Sequence, residues 1–479
     1  MPDPSDAAMR DAAASVLGAN RRMHATVPAP GLYPYQWCWD TGPIALGWGA
    51  LGDWDRAWAE LHSLLSAQWP SGFVPHIVFW EPNDEYFPGP DVWGTAARAA
   101  PPPAPPTTGI TQPPLPVSAA AMLFAADPDR RRAEREVRAL LPRLVAWLEW
   151  LCRARRGPHD AVVVVHPWET GMDNSPAWDE PLAATPMQTN RHLERRDTRT
   201  VAAAQRPTAT EYQHYLGIVA DLRAAGWDTE AQGDVSPFVV EDPGFTAIAV
   251  RAADDLLAVA RALDAHGDVH TIEVVAAQLR AGLEALWDDD VQTYRAFDVR
   301  AGAGVGPATA GGLVALWAGC RADRAAVLAA RVRAWTEGRE AGVLTSDPDG
   351  AGFDPVRYWR GPVWVLVNWL VAEGARQSGD RALADQLRAV TYGLVARAGF
   401  SEYYDPRDGS GIGGTGFSWS AALTLWWLLA DPGQPDAGQP DAGQGAPRSS
   451  SSGPGPGPGP GSGSGWAGAT TRDDGPAAK

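Results

Sequence analysis

The chain has little cysteine and lacks long apolar runs. Only three cysteines occur in 479 residues, Cys38, Cys152 and Cys320. They lie far apart and form no CxxC motif, so we expect reduced, buried thiols and no disulfide framework. No apolar run is long enough to span a membrane, and the N-terminal segment has neither the basic start nor the apolar core of a signal peptide. These absences favour a cytoplasmic protein without a membrane partner.

Positive charge is also scarce. The chain has 40 Lys and Arg against 57 Asp and Glu, and its formal net charge is −17. Nucleic-acid binding requires a positive surface, so we expect no nucleic-acid partner. No GxGxxG follows a predicted strand, and the patterns GxxxxGK[ST], HExxH and GxSxG are missing. We therefore expect neither a cofactor nor a bound metal.

Tryptophan, by contrast, is abundant, with 23 residues. A hydrophobic core needs only a few such side chains. Flat aromatic faces also stack on the C–H faces of sugars and on nucleic-acid bases. Because the charge argues against nucleic acid, we expect a neutral or polar substrate, and a small carbohydrate substrate is one candidate of that kind. The sequence leaves the oligomeric state open, and a homo-oligomer is one alternative.

Apolar residues recur at helical spacing along most of the chain. About a dozen helices follow from this spacing, so we predict an all-α fold in which helices pack on helices, a number that suits a closed double ring. Pro142 should bend the helix that contains it or mark its start. The clearest strand signal is the β-branched run from Ala161 to Trp168. The helical segments are roughly 42–66, 115–126, 140–151, 211–226, 256–263, 272–286, 309–335, 361–377, 383–394 and 417–430.

Two compositional breaks indicate the domain organisation. Residues 432–479 are rich in Gly, Pro and Ser and have almost nothing to bury, so we predict a disordered tail. The proline run at 101–106 reads as a surface loop. We therefore predict one catalytic domain over residues 1–431, with loop insertions near 80–115 and 174–210.

A polar and aromatic segment follows the predicted strand. It reads HPWETGMDNSPAWD, from His166 to Asp179, and has no helical periodicity. Burial against its tryptophans would raise the pKa of a carboxyl, as the general acid of a glycoside hydrolase requires. Asp173 is our candidate for that acid. The alternative is that Asp173 or Asp179 only caps a following helix, and the local pattern does not separate the two.

A second candidate carboxyl is Glu402, in the segment GFSEYYDP. It follows a predicted helix and precedes the Gly-rich segment GSGIGGTG, which we interpret as a mobile loop. In an inverting glycosidase a second carboxylate activates water on the face of the sugar opposite the leaving group. The alternative for Glu402 is an ordinary exposed acid in a turn.

Four further motifs contain candidate binding residues. QWCWDTG places Asp40 at a helix start, where it could cap the helix and bind sugar hydroxyls. In YWRGPVW, Arg360 could anchor a substrate carboxylate or an internal acid. GFVPH contains a lone histidine, His76, and such a residue is more often structural. TQPPL contains Gln112.

Taken in order, these motifs resemble those of glycoside hydrolase family 63 over roughly residues 30–425. HPWETGMDNSPAWD is the most specific, and SEYYDP…GFSWSAA closes the set. The resemblance implies an (α/α)6 barrel and hydrolysis of α-glucosidic or α-mannosidic bonds with inversion. It also implies that Asp173 is the general acid and Glu402 the general base, with carboxyls about 6.5–9.5 Å apart. The substrate-binding residues that we expect are Tyr33, Trp37, Trp39, Asp40, His76, Gln112, Trp168, Tyr358, Trp359, Arg360, Gly361 and Trp364.

We expect no counterpart of the large N-terminal β-domain that the eukaryotic processing members have. The chain is similar to the short bacterial members that act on mannosylglycerate or glucosylglycerate. These substrates carry a carboxylate, which Arg360 or the arginines of residues 191–196 could bind. Ala177 stands where the family string often has Arg, and a proline-rich insertion precedes Gln112. These departures leave the exact substrate open. A trehalase-like or oligosaccharide α-glucosidase would use the same pair of carboxyls and stays open. The tryptophans alone would also suit a non-catalytic carbohydrate-binding protein.

Overall fold

The computed structural model describes residues 4–98, 104–188, 195–339 and 341–430. The predicted tail at 432–479, part of the proline run at 101–106 and Arg191 lie outside the described residues. Within the described part, helices dominate, as the sequence predicts. They are α1 Pro4–Asn20, α2 Cys38–Ala50, α3 Trp54–Ser66, α4 Pro90–Trp93, α5 Leu115–Ala126, α6 Arg130–Ala154, α7 Asp179–Ala183, α8 Ala209–Ala224, α9 Gln232–Val235, α10 Pro243–Ala262, α11 His266–Ala285, α12 Ala310–Leu313, α13 Ala322–Thr336, α14 Val365–Gln377, α15 Arg381–Ala398 and α16 Ser418–Leu423.

The helices form two concentric rings. The inner ring is α2, α5, α10, α12 with the 3₁₀ turn Val314–Leu316, α14 and α16, and each of these packs on the next around the ring. The ring closes because α16 packs on α2. The outer ring is α1, α3, α6, α11, α13 and α15. This arrangement is the (α/α)6 barrel.

Side-chain patterns explain which helices lie inside. The inner helix α5, with sequence LPVSAAAMLFAA, is buried from Leu115 to Phe124, as expected for a helix that is apolar on every face. The outer helix α6 buries one apolar stripe that includes Leu140, Leu144 and Leu151, and charged residues fill its other face. Pro142 lies inside α6, so it does not mark the start of that helix.

Short strands lie in the loops between helices. The pairs β1–β2, β5–β6 and β9–β10 are antiparallel, and a four-stranded antiparallel sheet has the order β3-β4-β7-β8. The strands are β1 Gln36–Trp37, β2 Ile77–Val78, β3 Val163–Val164, β4 Val240–Glu241, β5 Trp287–Asp288, β6 Thr293–Tyr294, β7 Ala296–Asp298, β8 Ala303–Val305, β9 Ser401–Tyr404 and β10 Gly411–Thr415.

Several predicted elements have different boundaries in the structure. The helix predicted at 42–66 is two helices, because Gly52 has a φ of +82° and the Asp53 side chain caps α3 by accepting a hydrogen bond from the Arg56 N–H. The segment 309–335 is interrupted in the same way at Gly319, which has a φ of +65°. The Gly-rich segment after Glu402 is not a loop, since most of it forms strand β10.

Two expectations from composition concern the described residues directly. The three cysteines are free thiols; Cys38 is buried and the other two are partly exposed. Among the described helices, none combines the length and the apolar character that a membrane crossing requires.

Candidate active site

A pocket opens at the end of the barrel where the inner helices begin. Trp37, Trp364 and Phe417 immediately precede α2, α14 and α16, and Gln112 lies just before α5. The empty space of the pocket, which includes open solvent at its mouth, is about 830 Å³. Its lining residues include Tyr33, Trp37, Trp39, Asp40, His76, Tyr86, Gln112, Trp168, Gly171, Asp173, Arg196, Asp197, Arg206, Tyr212, Tyr358, Trp359, Trp364, Glu402, Phe417 and Trp419.

Asp173 reaches the pocket at the end of a tightly turned segment. Strand β3 leads into the 3₁₀ turn Pro167–Thr170, and Gly171 then adopts a φ of +72°. A Cβ at Gly171 would lie 2.6 Å from ring atoms of Trp39. Only glycine therefore fits this turn, which carries Asp173 past the Trp39 ring and into the pocket.

The environment of Asp173 favours a protonated carboxyl. Burial raises its pKa well above the ordinary value; the Arg206 cation opposes that rise, and the charges of Glu402 and Asp40 add to it. The backbone is fixed from behind, since the Tyr215 hydroxyl donates to the Asp173 carbonyl oxygen at 3.0 Å. Neither Asp173 nor Asp179 supplies a helix-capping hydrogen bond in the described structure, so the capping alternative is wrong.

Glu402 lies on strand β9 and is only 1% exposed. Its Oε1 accepts hydrogen bonds from the Tyr33 hydroxyl at 2.7 Å and from Arg206 Nη1 at 3.2 Å. Its Oε2 accepts one from the Gly414 N–H of β10 at 2.8 Å. Three donors converge on this side chain, which is an arrangement suited to a carboxylate. The exposed-turn alternative for Glu402 is therefore wrong.

Arg206 is a pocket residue that the sequence analysis did not find. It is 2% exposed and bridges two acids, with Nη1 at 3.2 Å from Glu402 Oε1 and Nε at 3.2 Å from Asp197 Oδ2. Its guanidinium also lies 4.2 Å from the ring centroid of Tyr358. It belongs to a segment without periodicity or a motif, so its position depends wholly on the fold.

Two tyrosine hydroxyls connect Glu402 to the opposite wall. The Tyr33 hydroxyl, which donates to Glu402, lies 3.1 Å from the Tyr358 hydroxyl. Burial raises the pKa of both phenols well above 10, so both stay protonated at neutral pH. The backbone of Tyr358 has a φ of +47°, a conformation that costs a residue with a side chain on the order of 1 kcal/mol. Trp364 Nε1 donates to the Tyr358 carbonyl at 3.1 Å and helps to hold it there.

Asp40 is a third acid in the pocket. It lies in the first turn of α2, whose N-cap is Trp37, so the prediction that Asp40 caps this helix is wrong. Burial raises its pKa to about 8, and the nearby charge of Glu402 acts in the same direction. Asp40 is therefore mostly protonated at neutral pH and can donate a hydrogen bond to a sugar hydroxyl.

Aromatic rings make up much of the pocket wall. Trp359 and Trp364 stack with centroids 3.8 Å apart and planes 5° from parallel. Trp39 lies 6.0 Å from Trp359 and 5.5 Å from Trp419. These faces offer the flat apolar surface on which a pyranose ring packs.

Other predicted residues support this wall through polar contacts. Gln112 Oε1 accepts a hydrogen bond from the Trp39 N–H at 3.3 Å. His76 stacks near Trp168, with centroids 6.4 Å apart, and its Nδ1 lies 3.1 Å from the Thr108 hydroxyl. Burial holds the pKa of His76 well below 6.5, so this histidine is neutral.

Arg360 and Gly361 do not line the pocket. Arg360 donates to both carboxylate oxygens of Asp179, at 2.7 and 2.6 Å, and to the Asn174 carbonyl at 3.2 Å. Of the two partners predicted for Arg360, the structure has the internal acid. Asn174 Oδ1 also accepts the Trp359 N–H at 3.0 Å, so these contacts fasten the YWRGPVW segment to the segment of Asp173.

Besides Arg206, further lining residues escaped the sequence analysis. Phe417 and Trp419 lie in the GFSWSAA motif, so a signal for them existed. Asp197, Tyr86 and Tyr212 lie in or beside the predicted insertions, where no local pattern singled them out. Among the described residues, no group of three or more His, Cys, Asp or Glu side chains is arranged to hold a metal ion.

Comparisons with known proteins identify the family of the chain. The family model for the mannosylglycerate hydrolase MGH1-like glycoside hydrolase domain matches residues 33–420. The chain is 47% identical over 419 residues to a mannosylglycerate hydrolase of Thermus thermophilus, covering 87% of this chain and 99% of the relative. It is 35% identical over 431 residues to the glucosylglycerate hydrolase of Mycolicibacterium hassiacum, covering 87% and 96% of the two chains.

A solved structure shows the same fold. The crystal structure of a family 63 mannosylglycerate hydrolase from Thermus thermophilus, in complex with Tris and D-glycerate, superposes with a TM-score of 0.83. The two chains are 46% identical, and the match covers 88% of this chain and 99% of the other. The chain therefore belongs to the MGH1-like glycoside hydrolases of family 63 and is a glycoside hydrolase.

Proposed function

We propose that the protein is an inverting α-glycosidase that hydrolyses a small glycoside of glyceric acid, mannosylglycerate or glucosylglycerate. Asp173 is the general acid and Glu402 the general base. One observation carries the proposal: a carboxyl whose surroundings raise its pKa and a carboxyl bound by three donors line the same aromatic pocket.

Asp173 supplies the proton for departure of the aglycone. The bond between the anomeric carbon and the glycosidic oxygen breaks, and that oxygen takes the Asp173 proton as it leaves. A carboxyl kept neutral by burial can perform this step at a pH at which an exposed aspartate would be ionised. The step leaves Asp173 as a carboxylate, which Arg206 stabilises because its cation opposes the rise in the Asp173 pKa.

Glu402 activates the water that replaces the aglycone. The water oxygen bonds to the anomeric carbon from the opposite face, and its proton passes to Glu402. Tyr33, Arg206 and Gly414 fix the carboxylate during this transfer. Attack from that face inverts the configuration, so an α-glycoside yields a β-sugar. Proton exchange with solvent then restores both carboxyls.

Arg196 gives the pocket a means to select an acidic aglycone. It lines the pocket, and its Nε is buried without a hydrogen-bond partner among the described residues. A buried donor left unpaired costs about 1–3 kcal/mol, and a substrate carboxylate would remove that cost. The relatives named as mannosylglycerate and glucosylglycerate hydrolases support the same aglycone.

A substrate panel tests the proposal. The purified protein is assayed by ¹H NMR with mannosylglycerate, glucosylglycerate, trehalose, maltose and a blank. We expect hydrolysis of one or both glycerate glycosides, with the β-anomer as the first product. Initial formation of the α-anomer would show retention and refute the mechanism. Efficient cleavage of trehalose or maltose, with the glycerate glycosides left intact, would refute the substrate.

A further inference from the structure

Glu169 is the acid of HPWETGMDNSPAWD whose role the mechanism leaves unexplained. Its side chain is fully buried, and it lies four residues before Asp173. Its Oε1 accepts hydrogen bonds from the Thr111 N–H at 3.2 Å and from Arg155 Nη2 at 2.9 Å. Its Oε2 accepts one from the Val165 N–H at 2.7 Å. One carboxylate therefore joins three segments of the chain.

Two of these segments lead directly to pocket residues. Thr111 is followed by Gln112, which lines the pocket. Val165 comes just after β3, at the entry to the turn that contains Glu169 itself and ends at Gly171. A shift of the Glu169 carboxylate would consequently move the backbone that carries Asp173 relative to the Gln112 wall.

Arg155 fixes the carboxylate from the third side. It is fully buried directly after α6, and its guanidinium also donates to Gln232 Oε1 and lies 5.0 Å from the centroid of the Trp150 ring. If either member of a buried ion pair is removed, the other stays buried without a partner and without its hydration. The pair with Arg155 is therefore costly to break, and it holds the Glu169 carboxylate in one place together with the Thr111 and Val165 N–H groups.

We propose that Glu169, held by Arg155, is a positioning residue that sets the location of the Asp173 carboxyl against the glycosidic oxygen. Glu169 touches no substrate and acts only through Asp173. A misplacement of about 1 Å at a reacting group can reduce a rate by about 10²-fold. The inference rests on the proposed role of Asp173 as general acid.

The variant Glu169→Asp tests the inference while it keeps the negative charge. The shorter side chain cannot reach Thr111, Val165 and Arg155 together. It is assayed with a glycerate glycoside, whose alkoxide leaving group needs a proton, and with the α-glycosyl fluoride of the same sugar, which needs much less protonation. We expect kcat for the glycerate glycoside to fall about 30-fold, with KM changed less than about threefold and kcat for the fluoride reduced less than about threefold.

Two further variants separate the explanations. Asp173→Asn should show the same selective loss, and if it does not, the proposed general acid is wrong. The alternative result is that Asp173→Asn loses activity on the glycerate glycoside selectively while Glu169→Asp reduces hydrolysis of both substrates equally or of neither. That result would overturn the positioning role of Glu169 and leave Asp173 as the general acid. If Glu169→Asp does not fold, Arg155→Lys replaces it in the assay with the same two substrates. A selective loss on the glycerate glycoside supports the positioning role, and an equal loss or no loss overturns it.

Asp255→Asn is the control for simple destabilisation. It breaks the buried Arg251–Asp255 pair, whose atoms are 2.7 Å apart. Asp255 lies twelve residues after the start of α10, about 18 Å along the helix from its pocket end. This variant should lose thermal stability without any preference between the two leaving groups. A selective loss in Asp255→Asn would show that leaving-group selectivity reports general destabilisation, and it would overturn the inference.

Discussion

Arg206 and Glu402 form a buried ion pair across 196 residues of sequence, with Arg206 Nη1 at 3.2 Å from Glu402 Oε1. The same guanidinium binds Asp197 through Nε. One cation therefore balances two acids in a pocket that has a third and a fourth acid nearby, Asp40 and Asp173. Without Arg206, the Glu402 carboxylate would keep only its two neutral donors, the Tyr33 hydroxyl and the Gly414 N–H.

Replacing Arg206 should damage both stability and activity. Arg206→Met leaves the buried Glu402 without its cation, while Asp197 keeps its pair with Arg195, and the loss of one partner of a buried ion pair costs about 3–5 kcal/mol. We expect the free energy of unfolding to fall by about that amount in urea titrations at neutral pH, and kcat to fall by at least about 10²-fold. Arg333→Met is the control, because its pair with Asp380 is half exposed and should contribute about 0–1 kcal/mol. Equal stability of the two variants would contradict the central role of Arg206.

The carboxyl pair itself should control the pH profile. General acid catalysis contributes about 10²–10⁴-fold, so Asp173→Asn should lower kcat on a glycerate glycoside within that range. Because burial raises the pKa of Asp173 and the acid must be protonated, kcat/KM should fall as the pH rises through that raised pKa. The residual activity of Asp173→Asn on a glycosyl fluoride should lack this alkaline decline. A decline of the same shape in the variant would assign it to another group.

Helices were the predictable part of this fold, and the site was predictable only where a motif spans it. The apolar composition of α5 and the apolar spacing of α15 are local properties, so the sequence predicts these helices well. Strand β10 is different, because its residues are mostly glycine and only pairing with β9 makes them a strand. Arg206 gave no signal either, since the fold brings Glu402 to it across 196 residues of sequence and no motif surrounds Arg206 itself.

Asp40 should make stability depend on pH in a defined direction. Its folded pKa of about 8 lies above the ordinary value of 3.8, so between those values the folded protein keeps a proton that the unfolded chain has lost. The contribution of Asp40 to the free energy of unfolding is complete below about pH 4. It is lost as the pH rises to 8, a change on the order of 5 kcal/mol. Asp40→Asn should therefore be more stable than the unaltered protein at pH 8 and similar to it at pH 4.

Urea unfolding at the two pH values measures this difference. Asp234→Asn is the matched control, because Asp234 is exposed and its replacement should leave the pH dependence unchanged. If the free energy of unfolding changes with pH in the same way in Asp40→Asn and in the unaltered protein, Asp40 is ionised in the folded state and this prediction is wrong.

Gly171 should tolerate no side chain. A Cβ there would lie 2.6 Å from the Trp39 ring, and the φ of +72° adds backbone strain. Gly171→Ala should move Trp39 or Asp173 and reduce kcat at least about tenfold, since small displacements of catalytic groups are costly. Gly226→Ala separates the two causes: Gly226 has a φ of +75°, but nothing lies within 4 Å of its Cβ position. It should lose about 1 kcal/mol of stability and keep full activity. If both variants retain activity, the close contact at Gly171 does not position the site.

Arg196 should distinguish a charged aglycone from a neutral one. A hydrogen bond to a charged group contributes about 1.5–3 kcal/mol, so Arg196→Met should raise KM for the glycerate glycoside by about 10- to 100-fold. KM for the corresponding glycerol glycoside, which has a hydroxymethyl group in place of the carboxylate, should change little. Arg360→Met is the comparison, because Arg360 binds Asp179 and lies outside the pocket lining. It can lower kcat through the Asp173 segment, but it should leave the ratio of the two KM values unchanged. If the ratio changes in Arg360→Met and not in Arg196→Met, Arg360 is the residue that binds the substrate carboxylate, and the role proposed for Arg196 is wrong.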